Sequence, residues 1–385
     1  MTTTPTYRTE PPERGTDLTR ATPTGHRPGG GHSVHIHLEH SRARRVTPPS
    51  AAVWKSLGLH VLIPLFLAAG MALSYLGAFH APSPHHLPVA IVGSSAETEV
   101  FAQKLHDAAP EKLDVRTVAD SAAARAQVAD RSIAAAFEAS GTSATLYVSS
   151  AASDTTASVV EKVFLPIAYQ QGLPIRVDDV VPSGSGDPTG QGLFFLLVAL
   201  SVGGYASAAA ISAVAARVRL GWRLLVSVVT AGLVAGIGAI VVGPVYHVID
   251  HSTWNVWLLA WLYVTAIIVI GVGLHPVLRH WTTPALTMLF VMLNFTSSGG
   301  VFASALVPPF FSALNSFWNG AAWLHAAQTA VYFPAQSIGR DALTLSMWLA
   351  VGLLLAVATH VWSARRTRLA DERVAVREDE EGIAA

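Results

Sequence analysis

Six apolar stretches that lack any carboxylate or lysine govern what this chain can become: Leu57–Phe79, Gly192–Val214, Leu224–Tyr246, Trp257–Leu274, Ala285–Val307 and Leu343–Trp362. Crossing the hydrocarbon core takes about 20 residues of helix. Lipid offers no partner to backbone N–H and C=O groups, so such stretches must be helical. The expected fold class is a mainly α-helical integral membrane protein with six transmembrane helices. With 51% hydrophobic and only 13% charged residues, the composition would be odd for a soluble protein of 385 residues. Cysteine is absent, which rules out disulfides, thiolate metal sites and cysteine nucleophiles.

Basic residues set the expected orientation, because short cytoplasmic flanks collect Lys and Arg. Arg42, Arg44, Arg45 and Lys55 precede the first stretch; Arg217, Arg219 and Arg223 lie between the second and third. Arg279 follows the fourth, and Arg365, Arg366 and Arg368 follow the sixth. The alternate connections are poor, His247–Asn255 having none and Pro308–Asp341 only Arg340. Both termini are therefore expected in the cytoplasm of a multi-pass plasma (inner) membrane protein. The first stretch, residues 51–80, reads as a retained signal-anchor, since no small-x-small cleavage site follows it.

Residues 1–50 are rich in Thr, Pro, Gly, Arg and His, too poor in large apolar side chains to bury a core. His26, His32, His35, His37 and His40 lack carboxylate or thiol company, so they read as a basic, lipid-skimming tail rather than a metal site. The tail at 364–385 passes from basic to acidic and reads as a frayed helical extension.

Residues 81–190 form the one sizeable water-soluble region, bounded by Pro82, Pro84 and Pro88 and by the Ser/Gly/Pro-rich linker Pro182–Gly192. Its periodicity alternates between two and 3.6 residues. Strands are expected at Leu87–Val92, Leu113–Val118, Ser132–Glu138, Ala144–Ser149 and Ile175–Val181. Helices are expected at Ala96–Ala108, Ser121–Ala129 and Asp154–Gln171. This makes a small extracytoplasmic α/β domain between the first and second membrane helices, ahead of a five-helix membrane domain over 191–363.

Chemistry-bearing motifs are weak. Val92-Gly93-Ser94-Ser95 lacks the later glycines of a dinucleotide fingerprint. Asp178 and Asp179 would face opposite sides of a strand. Ser149, Ser150 and Ser153 have no histidine near them in sequence. His247, Asp250 and His251 resemble a scrambled zinc-hydrolase motif without a third ligand. No membrane stretch carries a mid-span Asp, Glu or Lys, the usual carrier of a proton or sodium ion; His60 and His360 sit at span ends. No enzyme activity, cofactor or nucleic-acid partner is expected. Gly232 and Gly236 form a G-x-x-x-G that lets helices approach closely in lipid, within one chain or between subunits.

The most specific stretch runs Asn294-Phe-Thr-Ser-Ser-Gly-Gly through Leu306-Val-Pro-Pro-Phe-Phe311 to Ala330-Val-Tyr-Phe333. It is too polar to span and too apolar to float. Through Ser297–Gly300, Leu306–Phe311, Gly320–Leu324 and Ala330–Phe333, and through its layout, the chain resembles ABC-2-type exporter permeases, specifically the phage-infection-protein-like branch. That resemblance implies a re-entrant outer segment at 308–335, with Ser298, Gly299, Gly300, Pro308, Pro309, Trp318 and Tyr332 in the hairpin. It also implies a half-transporter, a homodimer or heterodimer of permeases bathed in membrane lipids. A separate ATP-binding cassette ATPase would drive it, as the sequence has no G-x-x-x-x-G-K-[ST]. The implied ATPase contacts lie at Ala51–Gly58 and Ala215–Arg223, through Lys55, Arg217, Arg219 and Arg223. The expected function is export of a hydrophobic, lipid-linked or drug-like compound. A cell-envelope receptor or scaffold whose outer domain binds a ligand without transport is the alternative, and a membrane-embedded enzyme a third.

Overall fold

The computed structural model describes residues 50–214 and 218–384. The N-terminal histidines, Arg42, Arg44, Arg45 and Arg217 lie outside the described residues. The remainder is mainly helical, with one small mixed sheet.

Strands β1 (Leu87–Val92), β2 (Leu113–Val118), β3 (Ala135–Ser140), β4 (Ser143–Val148) and β5 (Ile175–Asp179) lie in the order β2-β1-β3-β4-β5. Val89 stands beside Val115 and Ala135 in parallel pairs; β3 and β4 form an antiparallel hairpin that sets Phe137 beside Leu146; β5 runs parallel to β4. Alternation does the rest. Leu87, Val89 and Ile91 face α2 (Ala96–Ala108) and α4 (Ser150–Gln170), where Phe137 stacks on Phe164 at 5.0 Å. Ala90 and Val92 face α3 (Ser121–Ala129) on the other side. The helix starts are capped by side chains, Ser95 Oγ accepting from Thr98 N and Asp120 Oδ1 from Ala123 N.

Among the described residues five helical stretches are long and apolar enough to cross a membrane: Val61–Phe79, Gly192–Val214, Leu220–Val245, Thr253–Ser297 and Gly339–Ala370. The sequence suggests six, and the difference lies in the 45-residue fourth stretch, which merges two expected segments. Its first arm, α7 (Thr253–Leu278), ends where Arg279 takes a left-handed φ of 51°. Asn294 Nδ2 then donates to Tyr263 Oη at 2.6 Å. A Cβ added to Gly271 would sit 2.8 Å from Leu286 Cδ1. Residues spaced equally about the turn thus meet, so the chain doubles back at Arg279. The returning arm is α8 (Thr282–Thr287), a π-helical turn at Met288–Met292, and α9 (Leu293–Ser297). The expected span Ala285–Val307 is therefore corrected: its helix stops at Ser297, because Gly299 adopts a φ of 83° that continues no helix.

Helix α7 is the axis of the bundle. All eleven residues Tyr263 to Gly273 are buried, as expected of a helix apolar on every side. Around it stand α5 (Gly192–Val214), α6 (Leu220–Ile240) and the 46-residue α12 (Gly339–Ala384). Helix α6 turns Ser227, Ala231, Ala235 and Gly238 inward and Leu233, Ile237 and Ile240 outward. That inversion, small inside and large outside, suits packing in lipid. Helix α1 (Ala51–Phe79) touches the rest mainly through its second half, Tyr75 stacking on Phe295 at 6.0 Å and Ala78 meeting Val307.

Two short helices complete the bundle: α10 (Pro309–Asn315), opened by Pro308 and Pro309, and α11 (Asn319–Tyr332). The sheet region is not suspended on a free linker. Leu306, fully buried, inserts into the core beneath β1, β3 and β4, and Ala305 O accepts from His85 N at 2.8 Å.

A Cβ on Gly273 would stand 2.8 Å from Ala356 N, so α7 and α12 cannot separate cheaply there. Gly273→Ala is expected to cost about 1–3 kcal/mol, lowering the thermal midpoint of the detergent-solubilised protein. Gly77→Ala, which meets nothing within 4 Å, should leave the midpoint unchanged or raise it.

Candidate functional site

Between the sheet and the helical bundle opens a cavity of about 470 Å³. Its sheet-side wall comes from Pro88 and Ala134 at one end of β1 and β3, and from Ala152 and Ser153 at the start of α4. Its bundle-side wall comes from Ser298 and Gly299, from Ala321, His325 and Gln328 along one face of α11, and from Arg340, Asp341 and Thr344 on α12.

Charge gathers at one corner. Arg131 follows α3 with a left-handed φ of 63°, which points its side chain across to the bundle. The guanidinium donates from Nη2 to Thr329 Oγ1 at 2.6 Å, donates to Gln336 Oε1, and lies 4.3 Å above the Phe333 ring. Gln336 Nε2 returns a bond to Ala129 O at 3.1 Å. Burial pulls the Arg131 pKa down to about 10, against the opposing pull of Asp341. The group stays cationic at neutral pH. Next to it His325 Nδ1 meets Asp341 Oδ2 at 2.6 Å. Arg340 is exposed and makes no ion pair among the described residues.

Behind the cavity lies a chain of neutral polar groups. Ser201 Oγ and Tyr263 Oη are 2.6 Å apart, Asn294 Nδ2 donates to Tyr263, and Gly320 N donates to Asn294 Oδ1 at 3.1 Å. Only glycine fits at position 320, since a Cβ there would collide with the Asn294 amide. Asn319 and the Trp323 indole N–H are fully buried beside it without a hydrogen-bond partner among the described residues.

The residues singled out from sequence separate into several places. Ser298 and Gly299 line the cavity, whereas a Cβ on Gly300 would run into Phe194. Pro308 and Pro309 start α10 away from the cavity. Trp318 is buried, its Nε1 donating to Leu289 O at 3.2 Å and its ring meeting Trp348 edge-on. Tyr332 ends α11 with its ring half-buried. Gly232 and Gly236 receive the indoles of Trp261 and Trp257, and Gly232 O accepts from Trp257 Nε1 at 3.3 Å. Lys55 and Arg219 are exposed. Arg223 is not: it turns into the bundle, with Nη2 3.4 Å from Val272 O, so it offers no surface to a partner. His251 Nε2 meets Val331 O at 2.8 Å, and among the described residues no three His, Asp or Glu side chains gather to hold a metal ion.

No sequence motif marks Arg131, His325, Asp341 or Asn319, whereas Asn294 opens the most specific stretch and Arg340 is the one base of its connection. Arg340 and Asp341, two adjacent charges in an otherwise nearly uncharged connection, were the one available signal. No family model, curated protein or solved structure matches the chain.

The Arg131–Gln336 contact ties the sheet to the loop before α12. A double-mutant cycle over Arg131→Ala and Gln336→Ala, read by thermal unfolding, should give a coupling of about 0.5–3 kcal/mol. Strict additivity would show that the contact holds nothing together.

Proposed function

We propose that this chain is the membrane-spanning permease subunit of an ATP-driven exporter, working with a separate ATPase and a second permease subunit on a hydrophobic, lipid-linked or drug-like compound. The observation that carries this reading is the cavity at one end of the bundle, walled by a helix that enters the bundle without crossing it. Helix α11 has 14 residues, roughly 21 Å at 1.5 Å per residue. The hydrocarbon core is about 30 Å thick. Substrate sites of membrane carriers are characteristically built beside helices interrupted within the bundle.

On this reading the hairpin at Arg279 counts as two passes, its short returning arm continued beyond Ser297 by the non-helical run up to Leu306 under the sheet, which gives six passes and both termini on one side. On that topology the sheet lies outside the cytoplasm and the exposed Arg219 lies within it. The bundle interior supports an external energy source. Its buried polar side chains around Tyr263 are neutral, with no carboxylate among them to carry a proton. A receptor or scaffold remains the second reading, favoured by the firm seating of the sheet through Leu306 and Arg131.

The cysteine-free sequence makes topology simple to test. Cysteine placed at Ser143, on the exposed tip of the β3–β4 hairpin, should react with a membrane-impermeant maleimide in intact cells. Cysteine at Lys55 should react only after permeabilisation. The reverse pattern would overturn the orientation. An ATP-hydrolysing protein should co-purify in mild detergent, and Arg219→Glu should weaken its recovery; purification of the chain alone would favour the receptor reading.

A further inference from the structure

We propose that the cavity takes an amphiphile with an anionic headgroup, a phosphate or carboxylate, held between Arg131 and Arg340. The inference deepens the permease reading and rests on the same cavity. Two guanidinium groups line it, against the single carboxylate of Asp341, whose Oδ2 is already engaged by His325. Nη1 of Arg131 has no partner among the described residues. Arg340 is free of ion pairs there, so a bidentate acid would find donors that nothing else uses. Beyond these charges the lining offers carbon from Pro88, Ala134, Ala152 and Ala305 alongside the neutral hydroxyls of Ser149, Ser153, Thr156 and Ser304.

Size separates an amphiphile from a bare anion. At about 470 Å³ the space falls within the range of small-molecule sites. An inorganic anion would fill only a corner and leave the carbon wall wet. A headgroup carrying an alkyl chain covers both walls.

The test uses the full chain in phosphatidylcholine nanodiscs, titrated calorimetrically with octyl phosphate and corrected with empty discs. Saturable binding is expected, weakened roughly tenfold or more by Arg340→Ala, the worth of one charge-assisted pair. Arg340→Lys should restore part of it, and Thr344→Trp, which fills the cavity from the surface of α12, should abolish it. Octyl glucoside and octyltrimethylammonium should not compete, and inorganic phosphate should bind at least about tenfold more weakly. Equal binding of octyl glucoside, equal binding of inorganic phosphate, or unchanged affinity in Arg340→Ala or in Thr344→Trp would overturn the proposal. No ATPase enters this measurement. Co-purification of an ATPase without octyl phosphate binding would sink the ligand class alone; binding without any ATPase would sink the exporter alone.

Discussion

Broken helices inside a carbon-lined bundle leave backbone groups that water cannot reach, and meeting that demand shapes the region from Asn294 to Tyr332. The chain uses amides and an indole rather than charges. Asn294 accepts the Gly320 amide at the start of α11, Asn315 Nδ2 donates to Ser297 O at the end of α9, and Trp318 Nε1 reaches Leu289 O in the π-helical turn. These bonds cross between segments, so each helix end is held by its neighbour. Glycine at 320 is what permits the first of these approaches.

From that centre the packing follows a consistent chemistry. Small side chains on α6 allow close contact with α7, while the tryptophans of α7 lie over Gly232 and Gly236 and bond to carbonyls that a bulkier helix would hide. The sheet joins the same body because Leu306 leaves the membrane-like core and enters the soluble one. One connection therefore belongs to two cores, and the cavity forms beside it.

Much of the sheet was legible in the chain. Helices α2 and α3 occupy the spans that periodicity assigns them, since Ser95 and Asp120 announce their starts. Strand β3 begins three residues later than alternation suggests, because Ser132 and Ile133 are used to leave the α3 turn. Hydropathy located the apolar stretches but not how they end. Val301 to Val307 is apolar enough to read as more span, and nothing local reveals that Leu306 docks under a sheet. The polar corner was invisible for a different reason: Arg131 and Gln336 lie 205 residues apart, and their pairing depends on the finished fold. The inward turn of Arg223 was equally hidden, for a basic residue at a helix start usually marks topology and here fills a gap against α7.

Helix α12 starts at the cavity and runs unbroken for 46 residues, roughly 69 Å of rod. Its apolar part ends at Ala370, so the last turns stand clear of it. Gly273 and Gly352 let this rod press against α7, a Cβ on Gly352 standing 2.9 Å from Ile270 Cγ1, so its apolar part cannot swing free of the bundle. Arg340 at the cavity and the acidic terminus are thus carried by one continuous helix.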